Sequence, residues 1–254
     1  MNISAEEKLM YEVMKAIYAS GIPVSFKGSM VLKAYLLEAG YSEDTRHTVD
    51  IDANWNSDTT PTMEQIAAAF QKAIDRGDIN LTVIPYRKYG DDRSAGFELR
   101  DSLSEEVIFT MDVDVNRPMA LTKIYEVSGL RFRGVAPSQM MADKISVVSS
   151  DKVFRRIKDV VDLYYISHVC DFNREDILHI LESNERTLGN FDGFLNRTED
   201  LKHSYEKFRF AGDVNKPTFE EIYQTVKTFI TDVISEKTDE YARKEKSNGG
   251  QTPG

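Results

Sequence analysis

"FKGSMVLKAYLLEAGYSEDTRHTVDIDANW", residues 26–55, holds the two features on which the fold turns. Just before it and into it, Ile22, Val24 and Phe26 alternate as a short strand does. A Gly28-Ser29 step follows. From Met30 the apolar residues return at helical spacing, and the run stops at Gly40, a position suited to a helix C-cap. Then "HTVDIDANW" (47–55) alternates again, with Thr48, Asp50 and Asp52 on one side and Val49 and Ile51 on the other. A strand, a tight small-residue turn, a helix and an acidic strand follow one another within thirty-odd residues.

Outward from this stretch, residues 4–20 space Leu9, Val13, Met14, Ile17 and Tyr18 as an amphipathic helix. Thr60 with Pro61 predicts a further helix to about Arg76. Strand-like runs follow at 79–86, 94–101, 105–116, 123–127 and 130–135, with antiparallel hairpins expected among them. From Pro137 the pattern turns helical. Ser138 is the expected cap of the first helix, residues 153–169 form the second, and Asn173 caps 174–183. Thr218 and Glu221 form a T-x-x-E capping box for a helix from 219 to about 235. The polar tail is expected to fray into disorder after Lys246. The fold class read from this is α+β. A mixed sheet with flanking helices spans 1–136, an all-helical C-terminal domain spans 137–246, and a disordered tail spans 247–254.

The 254 residues carry a net charge of -10, so the surface as a whole repels nucleic acid, and a polyanion needs a local basic patch. A single cysteine, Cys170, excludes an intramolecular disulfide framework and a cysteine zinc cluster. With no signal-peptide pattern and no transmembrane-length apolar run, a cytoplasmic protein away from the membrane is expected.

Asp50 and Asp52 leave one strand face, their Cα atoms about 6–7 Å apart. Two such carboxylates repel unless water or a cation lies between them, and hard cations such as Mg2+ take carboxylate and phosphate oxygens. A wet edge strand accounts for the pair equally well. "FTMDVDVN" (109–116) repeats the pattern with Asp112 and Asp114. Aspartate is a poor strand residue, so four in strand interiors need a reason. A third carboxylate completes a two-metal site or serves as general base. At Gly28-Ser29 the backbone is able to approach a ligand, and a helix start offers free N–H groups to a phosphate; an ordinary cap is the commoner explanation. In the 153–169 helix, Val153, Ile157, Val160, Val161 and Tyr164 share the apolar face. Arg155, Asp159 and Asp162 lie opposite, and spacing alone predicts a solvated face of ion pairs. Lys144 on the preceding helix either neutralises a triphosphate or is a surface lysine.

Taken in order, these elements resemble the AbiEii-type nucleotidyltransferases, toxins of bacterial toxin–antitoxin pairs within the polymerase-β-like superfamily. The match rests on Gly28-Ser29, on "RHTVDID" with Arg46, Thr48, Asp50 and Asp52, on "DVD", on Gln139 with Lys144, and on Asp159 with Asp162. It spans residues 26–166. The resemblance implies a metal-dependent enzyme that moves a nucleoside monophosphate from an NTP to RNA, such as a tRNA, or to protein. It implies Mg2+ or Mn2+ as cofactor and a cognate antitoxin as partner. Asp50, Asp52 and Asp114 would hold the metal, with Asp114 preferred over Asp112 as the third carboxylate. Gly28, Ser29, Arg46, Lys144 and Asp162 would bind the nucleotide, and Lys144 and Asp159 would join the catalytic set. One position departs: where the family has the lysine of K-x-D, this chain has Asp112. A non-catalytic relative that binds nucleotide or a partner, and a metal-dependent nuclease, are the competing readings.

Overall fold

The computed structural model describes residues 3–41, 48–89, 94–171, 173–210 and 216–248. Arg46 and the first residue of the predicted acidic strand, His47, lie outside these residues.

The first helix, α1 (Ala5–Ala19), is opened by a capping box in which Ser4 and Glu7 satisfy each other's backbone N–H groups. A short strand β1 (Val24–Lys27) runs straight into α2 (Gly28–Glu38), so Gly28 and Ser29 form the first turn of the helix rather than a loop before it. Gly40, at φ +75, follows the last turn of α2 as a C′ glycine, and the Tyr41 N–H bonds back to Leu36 O at 2.9 Å. Then come β2 (Asp50–Trp55), α3 (Met63–Arg76), β3 (Leu81–Tyr89), β4 (Ser94–Asp101), β5 (Val107–Asp114), β6 (Thr122–Val127) and β7 (Leu130–Val135). The helix expected from Thr60-Pro61 begins two residues later. Thr62 accepts from Gln65 N, and Gln65 bonds back to the Thr62 N–H, a reciprocal cap stronger than a lone Thr-Pro signal.

These strands make one seven-stranded sheet in the order β3-β4-β5-β2-β1-β7-β6. Hairpins join β3 to β4, β4 to β5 and β6 to β7, as the alternating runs predict. The parallel pairings β1–β7 and β2–β5 link segments distant in sequence. One face is apolar: Phe26, Ile51, Ala53, Phe97, Met111, Val113 and Phe132 are buried. α1 and α3 cover it, Tyr11 stacking on Phe132 at 5.6 Å and Phe70 meeting Phe97 edge-on at 5.8 Å. The side chains of Lys27, Asp52, Asn54, Asp112 and Asp114 leave the opposite face, because strand alternation sends every second residue there.

The helical part comprises α4 (Pro137–Val148), a 3-10 turn (Val153–Arg156), α5 (Ile157–Ser167), α6 (Arg174–Ser183), α7 (Asp192–Leu195), α8 (Thr198–Glu206) and α9 (Phe219–Asn248). Pro137 opens α4 at N1 with Ala136 as the N-cap residue, in place of the Ser138 cap expected. The predicted 153–169 helix is broken at its start by the tighter turn. α9 runs past 235 to Asn248. Tyr35 Oη on α2 donates to Val169 O at 2.8 Å, which ties the helix that starts at Gly28 to the helical part.

Candidate active site

Three strands and one helix start converge on the polar face. Across β1 and β2, Lys27 stands opposite Asp52. Across β2 and β5, Asp52 stands beside Asp112, and Asn54 beside Asp114. In a parallel pair, residues in register share a face. Asp112, not Asp114, is therefore the side-by-side neighbour of the D-x-D strand's second aspartate.

Gly28 has φ +71, and a Cβ there would run into the Asp52 carboxylate. The absent side chain thus lets the start of α2 rest against the acidic pair. Next to it, Ser29 is 5% exposed and its Oγ has no hydrogen-bond partner. Lys27, the N-cap residue, gives α2 no side-chain cap. A helix start with a buried, unspent hydroxyl therefore faces Asp52.

Three carboxylates of the polar face, Asp52, Asp112 and Asp114, differ in electrostatics. Burial, reinforced by Asp50, pushes the Asp52 carboxyl above the usual carboxylate range, against the pull of Lys27, Lys158 and Lys144. Burial likewise pushes Asp112 up; Arg87, 3.5 Å away, draws it back, while Asp50 and Asp114 add to the rise. One Asp112 oxygen, Oδ1, is buried without a partner. For Asp114 burial also acts upward, but cations outweigh it and its carboxyl lies below the usual range. Lys27 Nζ donates to its Oδ2 at 2.6 Å, the Ser94 hydroxyl donates to Oδ1, and Arg117 stands 3.6 Å from Oδ2.

Among the described residues no three His, Cys, Asp or Glu side chains converge on one ion-sized point. The donors nevertheless suit a hard divalent cation. Asp50, Asp52 and Asp112 offer carboxylates on one face; the unpartnered Asp112 Oδ1 packs over Gly96 beside the Tyr86 ring and Oδ2 faces Arg87, so a side-chain rotation would bring Asp112 to a cation shared with Asp52. Mg2+ keeps waters and substrate phosphates in its shell, so it does not require an all-protein cage.

Beyond Asp52 the sheet face gives way to α4 and α5. Lys144 Nζ donates to Asp159 Oδ1 and Asp162 Oδ2, both at 2.7 Å, and Arg156 Nε donates to Asp159 Oδ2 at 2.7 Å. Asp159 and Asp162 are 2% and 1% exposed, which overturns the solvated face predicted for them; of that trio Arg155 alone is exposed. Packing of α4 against α5 supplies the counter-charge that the spacing within one helix cannot reveal. Burial opposes the Lys144 charge, but the two aspartates outweigh it and raise its pKa. Burial opposes ionisation of Asp159, and Lys144 with Arg156 more than offsets that.

A cleft of about 290 Å3 is lined by Lys27, Gly28, Asp52, Lys144, Arg156, Lys158, Asp159 and Arg186. A second of about 420 Å3 is lined by Lys27, Asn54, Asp114, Arg117, Gln139, Asp143 and Arg186, so the two share a border. Of the residues singled out in the sequence, Gly28, Asp52, Lys144 and Asp159 line the first cleft, and Asp114 and Gln139 the second. Asp50 acts on both Asp52 and Asp112, and Asp162 reaches the cleft through Lys144. Gln139 is 3% exposed and braces Leu121 N and Asp143. Sequence reasoning missed Lys27, Asn54 and Arg186. Asn54 merely continues the Asp50–Asp52 alternation and Lys27 adjoins Gly28, so both carried a signal. Arg186, in the loop after α6, carried none.

Residues 12–239 match the family described as "Nucleotidyl transferase AbiEii toxin, Type IV TA system". The fold is similar to that of MenT4, a nucleotidyltransferase toxin from Mycobacterium tuberculosis H37Rv, with 16% identity, a TM-score of 0.55, and 96% of this chain and 93% of that one covered. An antigenic nucleotidyltransferase-like protein from Paracoccidioides brasiliensis aligns with a TM-score of 0.49 at 14% identity, over 80% of this chain and 93% of that one. No curated protein matches the chain at significant sequence similarity.

Proposed function

The chain belongs to the AbiEii nucleotidyltransferase toxin family, and we propose that it is an active, metal-dependent transferase that moves a nucleoside monophosphate from an NTP to a hydroxyl of an RNA or protein acceptor. The observation that carries this reading is the contact of the glycine-started helix with Asp52 of the acidic pair. Gly28 lies against the Asp52 carboxylate, so one spot offers backbone N–H groups to phosphate and carboxylates to the cation that accompanies it.

Asp50, Asp52 and Asp112 would hold Mg2+ or Mn2+, which when bound would supply charge neutralisation for the phosphates and a lowered pKa for the attacking hydroxyl. Register beside Asp52 favours Asp112 as the third carboxylate over Asp114, whose oxygens are taken by Lys27, Ser94 and Arg117. Gly28, Ser29 and the α2 start bind the phosphates. Lys144 spends two of its three donors on Asp159 and Asp162 and is thereby fixed at the cleft wall. The acceptor hydroxyl gives up its proton to solvent as its oxygen attacks the α-phosphorus, the bond from that phosphorus to the bridging oxygen breaks, and pyrophosphate leaves.

Together the two clefts are lined by six cations (Lys27, Arg117, Lys144, Arg156, Lys158, Arg186) against five carboxylates (Asp52, Asp114, Asp143, Asp159, Glu185). That balance is no track for a long polyanion. It suits a single acceptor end, a tRNA terminus or a protein side chain. A cognate antitoxin and a cytoplasmic setting belong to the same proposal, supported by the family's description as the toxin of a type IV system; among the described residues no helix is long and apolar enough to cross a membrane.

The test is incubation with each labelled NTP, with Mg2+ or Mn2+, and with RNA or protein. Metal-dependent label in an acceptor is expected. Asp52→Asn and Asp112→Asn should each lose more than ~100-fold, beyond the range typical of outer-shell changes. No transfer with any NTP, or undiminished transfer by Asp52→Asn, overturns the reading.

A further inference from the structure

Lys27 lines both clefts and holds Asp114, yet the proposed transfer gives it no contact with the nucleotide. It is the last residue of β1 and directly precedes Gly28. Its backbone pairs with Asp52, yet its side chain crosses β2 to meet Asp114 on β5, 2.6 Å from Nζ to Oδ2. It borders both clefts, and its side chain remains 25% exposed, so the ammonium stays within reach of a ligand.

We infer that Lys27 is a ligand of the nucleotide's polyphosphate, and that Asp114 is the residue that positions it rather than a metal ligand. This rests on the transferase reading of the same site. An ammonium has three donors, and Asp114 occupies one. A flexible lysine on an open strand loses considerable side-chain entropy when a ligand fixes it; one already extended across the sheet loses less. Asp114 is itself fixed, by the Ser94 hydroxyl and by Arg117. Two residues earlier, Asp112 keeps an oxygen free. The polar face is thus divided. Asp52 and Asp112 accept a cation, while Lys27 presents one beside the Gly28-Ser29 turn on which phosphate is to sit. A polyphosphate there meets backbone N–H groups from one residue and an ammonium from the residue before it.

Isothermal calorimetry tests this directly, with an α,β-methylene NTP analogue and with pyrophosphate as probes in the presence of Mg2+. Wild type should bind both. Lys27→Met should bind each at least ~10-fold more weakly, the loss expected for one charge-assisted hydrogen bond. Lys27→Arg, which keeps the charge, should recover affinity to within ~3-fold of wild type. If Lys27→Met binds as wild type does, or if Lys27→Arg is as weak as Lys27→Met, the inference is overturned while the transferase reading stands. Wild type that binds neither probe defeats both. Mn2+ binding without nucleotide, read by its paramagnetic resonance signal, tests the second half. Asp114→Asn should keep the ion within ~3-fold and Asp112→Asn lose it by more than ~10-fold. Equal losses would make Asp114 a metal ligand and overturn the positioning role.

Discussion

At Gly28 the backbone is left-handed, at φ +71, and the space a Cβ would fill is taken by the Asp52 carboxylate. Two independent constraints therefore exclude any other residue, and both concern the site more than the fold. Gly28→Ala should cost about 1–2 kcal/mol from the left-handed conformation alone, and more because the Asp52 carboxylate has to move. Thermal melts should show the loss, and activity should fall further than the melt implies. Ser29→Ala makes the converse case. Its buried Oγ bonds nothing, so removing it should leave the melting temperature unchanged or slightly higher while nucleotide affinity drops in calorimetry. A Ser29→Ala chain that is clearly destabilised would mean the hydroxyl is structural. The Gly-Ser step and the D-x-D pair were legible because a glycine and alternating aspartates violate the preferences of the elements that hold them. The choice between Asp112 and Asp114 was not. It depends on which residue of β5 stands beside Asp52, and register between segments sixty residues apart leaves no trace in local pattern.

Among the elements, the α4–α5 seam is where local pattern misled. Spacing on α5 correctly separates Val160 and Val161 from Asp159 and Asp162. It does not show that the polar side faces another helix, where Lys144 sits between the aspartates with Arg156 beside them. A surface pair is worth under about 1 kcal/mol, whereas removing one partner of a buried group costs about 3–5 kcal/mol. Lys144→Met should therefore destabilise strongly, and the triple change with Asp159→Asn and Asp162→Asn should recover much of the loss, because no uncompensated buried charge remains; Arg156, left without Asp159, is half-exposed to water. Additive losses in urea titrations would refute the coupling. The pH dependence follows with its sign. Asp159 is held below its ordinary 3.8, so its contribution is present above 3.8 and is lost as pH falls through the lower folded value. Lys144 is raised above its ordinary 10.5, so its contribution is full below 10.5 and is lost as pH rises through the higher folded value. Acid melts of Lys144→Met should lack much of the wild-type drop below 3.8.

For the whole molecule, the sheet order decides what the sequence cannot. Each hairpin among β3, β4 and β5 was foreseeable from adjacent alternating runs, and so was the helical remainder after β7. The parallel joins of β2 to β5 and β1 to β7 were not, and they bring both acidic strands and the Gly28 turn to one face. The fold thus concentrates negative charge on Asp50, Asp52 and Asp112 with partial desolvation, a cost that Lys27, Lys144, Lys158 and Arg87 offset only in part. Asp52 and Asp112 are raised above the ordinary 3.8, so without metal stability falls as pH rises from 3.8 through their higher folded values and stays reduced above them. Mg2+ should reverse this at neutral pH. At ten times its dissociation constant an ion specific to the folded state adds about 1.4 kcal/mol, or about 3–6 °C for a chain of this size. Asp52→Asn removes one of the repelling charges and one ligand together. It should melt higher than wild type without metal, and its melting temperature should respond little to Mg2+. If instead Asp52→Asn melts well below wild type and Mg2+ moves neither protein, the acidic strands are held by contacts within the sheet, and the charge on that face is not waiting for a metal.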